Sequence, residues 1–292
     1  MRWEGERESD NVEDRRGGGG GGGGGLPIGR GGIGLGTIVI ALVAGWVLGI
    51  NPLTLLGVLS GGDMQAPIEQ TERQAPGVED SGSKFVRVVL ASTEDTWAQV
   101  FQQAGSQYRK PSLVMYSGRT STGCGVGDAQ AGPFYCPADE KVYIDLSFYK
   151  LMRDRLGAPG DTAQAYVIAH EVGHHIQNLT GTMRKMEEAR QRMSERQYNQ
   201  LSVRLELQAD CYAGIWAHHS QQAKGWFGNG DIEQAINAAA AVGDDKLQKE
   251  MQGVVRPETF THGSSEQRAR WFTAGQQSGR VDQCDTFAAR AQ

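Results

Sequence analysis

His170-Glu171-Val172-Gly173-His174 sets two imidazoles four residues apart with a carboxylate beside the first. On a helix, positions i and i+4 differ in azimuth by about 40°, so both rings point to one side. Two neutral ring nitrogens at that spacing can hold one Zn²⁺. Glu171 can reach a metal-bound water without being a ligand. It would act there as general base and then return the proton to a leaving amine. Five residues also match by chance. The flanks favour a helix here: AYVIA precedes and HIQNL follows, with no charge and no proline.

A catalytic zinc site takes three protein ligands and keeps a fourth position open. The third is sought in ELQADCYAG, residues 206–214, where Glu206 and Asp210 stand at i and i+4 of an expected helix. Glu206 completes the set with His170 and His174. Asp210 can accept a hydrogen bond from the other nitrogen of a ligating histidine and fix its tautomer. Ala209, Ala213 and Gly214 are small, so this helix can approach the HExxH helix closely. The plainer reading is a surface glutamate near an unrelated aspartate. His175 lies about 100° around the helix from His174 and is expected to pack rather than bind. Tyr166 is expected in the core, and His218 and His219 near a helix end, where they complement its dipole.

The elements that must position these groups follow from periodicity. KFVRVVLA reads as a strand, STEDTWAQVFQQAG as a helix starting at Ser92, and SLVMYSG and KVYIDLSFY as strands. KVYIDL, just ahead of the HExxH helix, suits an edge strand that receives an extended peptide. The stretch RTSTGCGVGDAQAGPFYCPAD is turn-rich. Helices are expected near 162–179, 183–222 (with a break), 231–242 and 264–278. A few strands followed by helices is an α+β order.

The chain has 292 residues and a net charge of −5, with no basic stripe, which speaks against a nucleic-acid partner. Of 41 glycines, nine form the run 17–25. Residues 1–32 read as a disordered, glycine-rich tail. Residues 33–50, IGLGTIVIALVAGWVLGI, carry no charge and would span roughly 27 Å as a helix, close to a bilayer's hydrocarbon thickness. They are expected to cross a membrane, with apolar sequence to about residue 59. A buried core helix is the alternative. Arg15, Arg16 and Arg30 precede the span and Asp63, Glu69 and Glu72 follow it. The tail is therefore expected in the cytoplasm, and the rest beyond the inner membrane, periplasmic or extracellular. Residues 60–83 read as a linker and 84–292 as the folded domain.

Cys124, Cys136, Cys211 and Cys284 include no CxxC pair, against a cysteine zinc ribbon. An oxidising compartment would favour two disulfides. Four cysteines allow three pairings and the sequence does not choose; Cys124–Cys136 with Cys211–Cys284 is our expectation.

HExxH followed by a separate ExxAD resembles the gluzincin metallopeptidases, membrane-linked enzymes among them. The whole chain resembles more closely the neutral zinc metallopeptidase family of bacteria. It shares that family's opening MRWEGERESDNVEDRRG, the single span, GPFYCPADEKVYIDLSFY, HEVGHHIQNLTG, ELQADCYAG and FTHGSSEQRARWF. The resemblance implies a zincin-like domain, one Zn²⁺ on His170, His174 and Glu206, Glu171 as base and Asp210 behind a ligand. A late histidine and arginine in similar enzymes look placed to stabilise the tetrahedral oxyanion, which would make His262 and Arg268 catalytic. Read from the residues alone, Ser264 or Ser265 caps a helix, Glu266 sits in its first turn and His262 is loop surface. The expected activity is hydrolysis of a peptide or protein substrate. A zinc-containing binding module without turnover, and a zinc amidase acting on a cell-wall amide, stay open.

Overall fold

The computed structural model describes residues 1–16 and 80–288. In chain order the elements are β1 (Val12–Asp14), α1 (Ser81–Gln103), β2 (Ser112–Tyr116), β3 (Arg119–Thr122), β4 (Gly125–Asp128), β5 (Phe134–Cys136) and β6 (Lys141–Asp145). Helices follow: α2 (Ser147–Asp154), α3 (Asp161–Leu179), α4 (Thr182–Arg190), α5 (Glu195–Lys224), α6 (Asp231–Ala241), α7 (Asp244–Gln252) and α8 (Ser265–Ser278). The larger sheet has the order β1-β2-β6-β5. β1 and β6 run parallel to β2, and β5 closes one edge antiparallel to β6. β3 and β4 form a separate hairpin. Cys124 bonds to Cys136, and Cys211 to Cys284.

Several expectations change. The transmembrane helix that the sequence reading set ahead of the α+β domain is withdrawn. Residues 33–50 lie outside the described residues, and no helix among the described residues is long and apolar enough to cross a membrane. Residues 1–16 are not disordered. β1 pairs with β2 in register Val12 to Leu113, and residues 1–16 belong to one compact unit with the rest of the fold. Strands cannot pair across a bilayer, so an N-terminus on one side and a folded domain on the other is incompatible with this sheet. β6 lies inside the sheet, whose edges among the described residues are β1 and β5.

KFVRVVLA is helical, inside α1. Asp80 caps that helix by accepting from the Ser83 amide at 2.7 Å. Phe85, Val86, Val88, Val89 and Leu90 are all buried, so the first half of α1 is packed on most sides. A short apolar run of this kind has no period that separates a buried helix from a strand. Ser92 is therefore mid-helix, where its hydroxyl accepts from Trp216 Nε1 at 3.0 Å.

Glu94 of α1 fastens the N-terminal segment. Its carboxylate, 1% exposed, accepts from Ser9 Oγ at 2.6 Å, Asn11 Nδ2 at 2.7 Å, Arg7 at 3.1 Å and Lys110 at 3.2 Å. Trp3 Nε1 donates to Asp161 Oδ2 at 2.9 Å, at the start of α3. Burial alone would raise the Glu94 pKa, but these hydrogen bonds outweigh it and hold it below the ordinary 4.5. The folded carboxylate thus stays charged to lower pH than the unfolded one. Its contribution is present above about pH 4.5 and is lost as pH falls through the lower folded value. Glu94→Gln is expected to flatten this acid limb. Tm followed from about pH 6 to about pH 3 should fall less steeply in the variant, and parallel curves would contradict the assignment.

α3 is buried nearly all round, from Ala163 to Ile176, between α1, α5, α6 and the strands β5 and β6. Its approach to α5 is set by Gly173, where an added Cβ would lie 3.0 Å from the Ala209 carbonyl oxygen. Gly214 serves another contact than the one expected, the crossing of α5 and α8. A Cβ there would meet Phe272 O at 2.1 Å, and one on Gly275 would meet Cys211 O at 1.9 Å. Backbone atoms on both helices leave no side chain to give way. Gly275→Ala should cost about 3 kcal/mol, the upper part of the overpacking range. Thermal unfolding checks it, and an unchanged Tm would show that the crossing has slack.

Candidate metal centre

α3 presents His170, Glu171 and His174, and α5 presents Glu206 and Asp210. The capping box at the start of α5, Ser194 with Gln197, fixes where that helix begins. Close approach at Gly173 and Ala209 then brings Glu206 over the histidines. Glu206 Oε2 lies 3.2 Å from His170 Nε2, and Glu206 Oε1 lies 3.5 Å from His174 Nε2. Ligand atoms of these three residues all lie within 4.8 Å of one another. Donors about 2.1 Å from one tetrahedral ion sit roughly 3.4 Å apart, so this set fits a single cation.

The far ring nitrogens are held differently. His170 Nδ1 lies 2.9 Å from Asp210 Oδ1. Asp210 is fully buried and also accepts from the Tyr166 hydroxyl, from Arg268 Nε at 2.8 Å and from Arg268 Nη2 at 3.0 Å. Its hydrogen bond to Nδ1 leaves Nε2 of His170 facing Glu206. His174 Nδ1 meets Gln177 Oε1 at 2.9 Å instead.

Charges reinforce this placement. Burial opposes a positive His170, but Asp210 and Glu206 outweigh it and push its pKa up to about 10. Burial would raise Glu206 and Asp210, yet His174 and His170 beside the first, and Arg268 with His170 beside the second, hold both below the carboxylate range. A cation held at Nε2 would take the place of a proton there, so its uptake would release acid. Burial pushes Glu171 the other way, upward, despite the lowering effect of both histidines.

Arg268 stands elsewhere than a direct catalytic role requires. It is 3% exposed, forks onto Asp210, and donates further to Tyr166 Oη at 3.1 Å and Val242 O at 3.2 Å. Every nitrogen of the guanidinium is engaged behind His170, where it braces Asp210. His262 lies in the loop before α8, capped by Ser264. Its Nδ1 sits 3.2 Å from Asp244 Oδ1, whose partner oxygen accepts the amides of Thr261, His262 and Gly263. The His262 side chain is half exposed, and its charge is felt by Glu206.

His175 takes no part in the metal group. It is buried, with Nε2 2.6 Å from Arg109 O and Nδ1 3.0 Å from Tyr135 Oη. His218 and His219 bond the carbonyls of Gln276 and Gly279, at the end of α8 rather than of their own helix. Sequence reasoning missed Gln177, Gln208 and Asp244. The one available signal was spacing, since Gln177 stands one turn after His174.

The fold and the group together define an α+β protein with a helix-borne HExxH and a carboxylate from a second helix. The family described as "Putative neutral zinc metallopeptidase" matches residues 1–287, and the chain belongs to it. It is 53% identical over 292 residues to "Uncharacterized protein YpfJ" of Escherichia coli K12, covering 98% of this chain and 99% of that one. "Uncharacterized protein Mb2605" of Mycobacterium bovis is 39% identical over 253 residues, 80% of this chain and 85% of its own. No solved structure matches the chain.

Proposed function

We propose that the protein is a zinc-dependent peptidase, with one Zn²⁺ held by His170, His174 and Glu206. The observation that carries this reading is the pair of Nε2 atoms facing the two Glu206 oxygens at 3.2 and 3.5 Å, with Glu171 buried beside them. When bound, the ion supplies Lewis acidity, lowering the pKa of a water toward about 7 and polarising a carbonyl.

Glu171 takes a proton from the attacking water. Its raised pKa suits both that step and return of the proton to the leaving nitrogen. The C–N bond breaks, the carbonyl carbon keeps the water's oxygen, and the amine leaves protonated. Asp210 holds His170 in the ligating tautomer, and Arg268 keeps Asp210 ionised. His262, steadied by Asp244, is assigned to the developing oxyanion. An extended peptide would add to the free edge of β5.

The test is digestion of a peptide library by the purified chain, read by mass spectrometry for new termini. Cleavage with zinc, its loss on chelation and its return on zinc addition are expected. No cleavage while zinc and peptides both bind would favour a binding module instead.

A further inference from the structure

The two histidines that face Glu206 are steadied by unlike means. His170 leans on an ionic set, Asp210 with Arg268. His174 leans on neutral amides, and those amides lead to a disulfide. Gln177 is fully buried, and its Nε2 donates to Leu205 O at 2.7 Å and to Gln208 Oε1 at 3.2 Å. Both partners are acceptors, so the amide has one sensible orientation, and Oε1 is left to meet His174 Nδ1 at 2.9 Å. An acceptor there requires hydrogen on Nδ1, which keeps the lone pair on Nε2 toward Glu206.

The chain of bonds continues. Gln208, 8% exposed, donates from Nε2 to Cys284 O at 3.1 Å. Cys284 ends a single 3₁₀ turn, Val281–Cys284, and is bonded to Cys211 of α5, closing a sequence separation of 73. Beyond Cys284, Thr286 Oγ1 donates to Arg204 O at 2.6 Å and Arg204 to Phe287 O at 3.2 Å. The bridge is therefore the covalent member of a small set that keeps this carbonyl over Gln208. Glu206, Gln208 and Cys211 sit within two turns of the same helix.

We propose that Gln177 and Gln208 are positioning residues for the metal, tying His174 to the Cys211–Cys284 bridge, so that the bridge sets how tightly the ion is held. This rests on the metal reading above and adds a route by which a distant covalent bond tunes it. Losing the bridge frees the Cys284 carbonyl, Gln208 loses its acceptor, Gln177 loses a fixed partner, and the His174 ring gains freedom that binding must then remove. Partners of this kind change metal affinity about 10–100-fold.

The experiment measures zinc affinity of the full chain by chelator competition, and the visible absorption of the Co²⁺ form, which reports ligand geometry. Gln177→Met is expected to bind zinc 10–100-fold more weakly, within the range of about 10–100-fold for such partners, and to shift the Co²⁺ bands. Gln208→Met and the bridge-free Cys211→Ala/Cys284→Ala chain should each weaken binding in the same direction. Removing the bridge in the Gln208→Met background should add little, because the route is already cut. Wild-type affinity in Gln177→Met would overturn the proposal, as would equal losses from bridge removal with and without Gln208. If the bridge-free chain does not fold, the two glutamine variants decide, since both keep the bridge; wild-type affinity in both overturns it. A wild-type chain that binds no zinc would instead overturn the metal reading itself.

Discussion

Glu171→Gln is expected to hold zinc as tightly as the wild type and to hydrolyse peptides about 10²–10⁴-fold more slowly, the usual contribution of a positioned general base. The side chain is nearly isosteric and is not one of the three donors that face one another. Its amide cannot take a proton from water. Burial that raises the Glu171 pKa also means the neutral amide costs little to place, so the fold should persist. Steady-state kinetics on a peptide cleaved by the wild type, paired with zinc titration, separates the outcomes. Unchanged turnover would remove Glu171 from the mechanism. Lost zinc would make it a ligand.

The second large effect is on stability. Arg268→Met leaves Asp210 ionised, fully buried and short of its fork of hydrogen bonds at 2.8 and 3.0 Å. Breaking one side of a buried pair costs about 3–5 kcal/mol. Part of the loss should appear as a raised Asp210 pKa, because Arg268 is the largest of the partners that depress it against burial. His170 would then be held less firmly, so zinc affinity should fall together with Tm. A group that only touched the transition state would behave otherwise: kcat would drop with Tm and zinc affinity intact. That pattern would return Arg268 to the reacting centre.

The parts of this molecule that were legible in the sequence are those set by local pattern. The HExxH helix, the carboxylate helix and the serine cap before α8 all follow from periodicity and capping chemistry within about twenty residues. What was misread depends on distant partners. Residues 1–16 are polar and glycine follows them, so composition alone reads disorder; β1 is held by β2, about a hundred residues along the chain, and by Glu94. The start of α1 is a β-branched run that is helical because it is buried on most sides. Arg268 and His262 are close in sequence, yet one is sealed behind Asp210 and the other half exposed on a loop. Gln177 carries no motif, because an amide becomes a histidine's orienter only once Leu205 and Gln208 fix which end faces the ring. The apolar run 33–50 led to a span that the described fold does not carry.

The most direct test of the account is anomalous X-ray scattering at the zinc edge from crystals of the full chain grown with zinc. One peak is predicted, bounded by His170, His174 and Glu206, with Gln177 and Asp210 behind the two imidazoles. A peak on other side chains, or none at this group while zinc is bound in solution, would contradict the account.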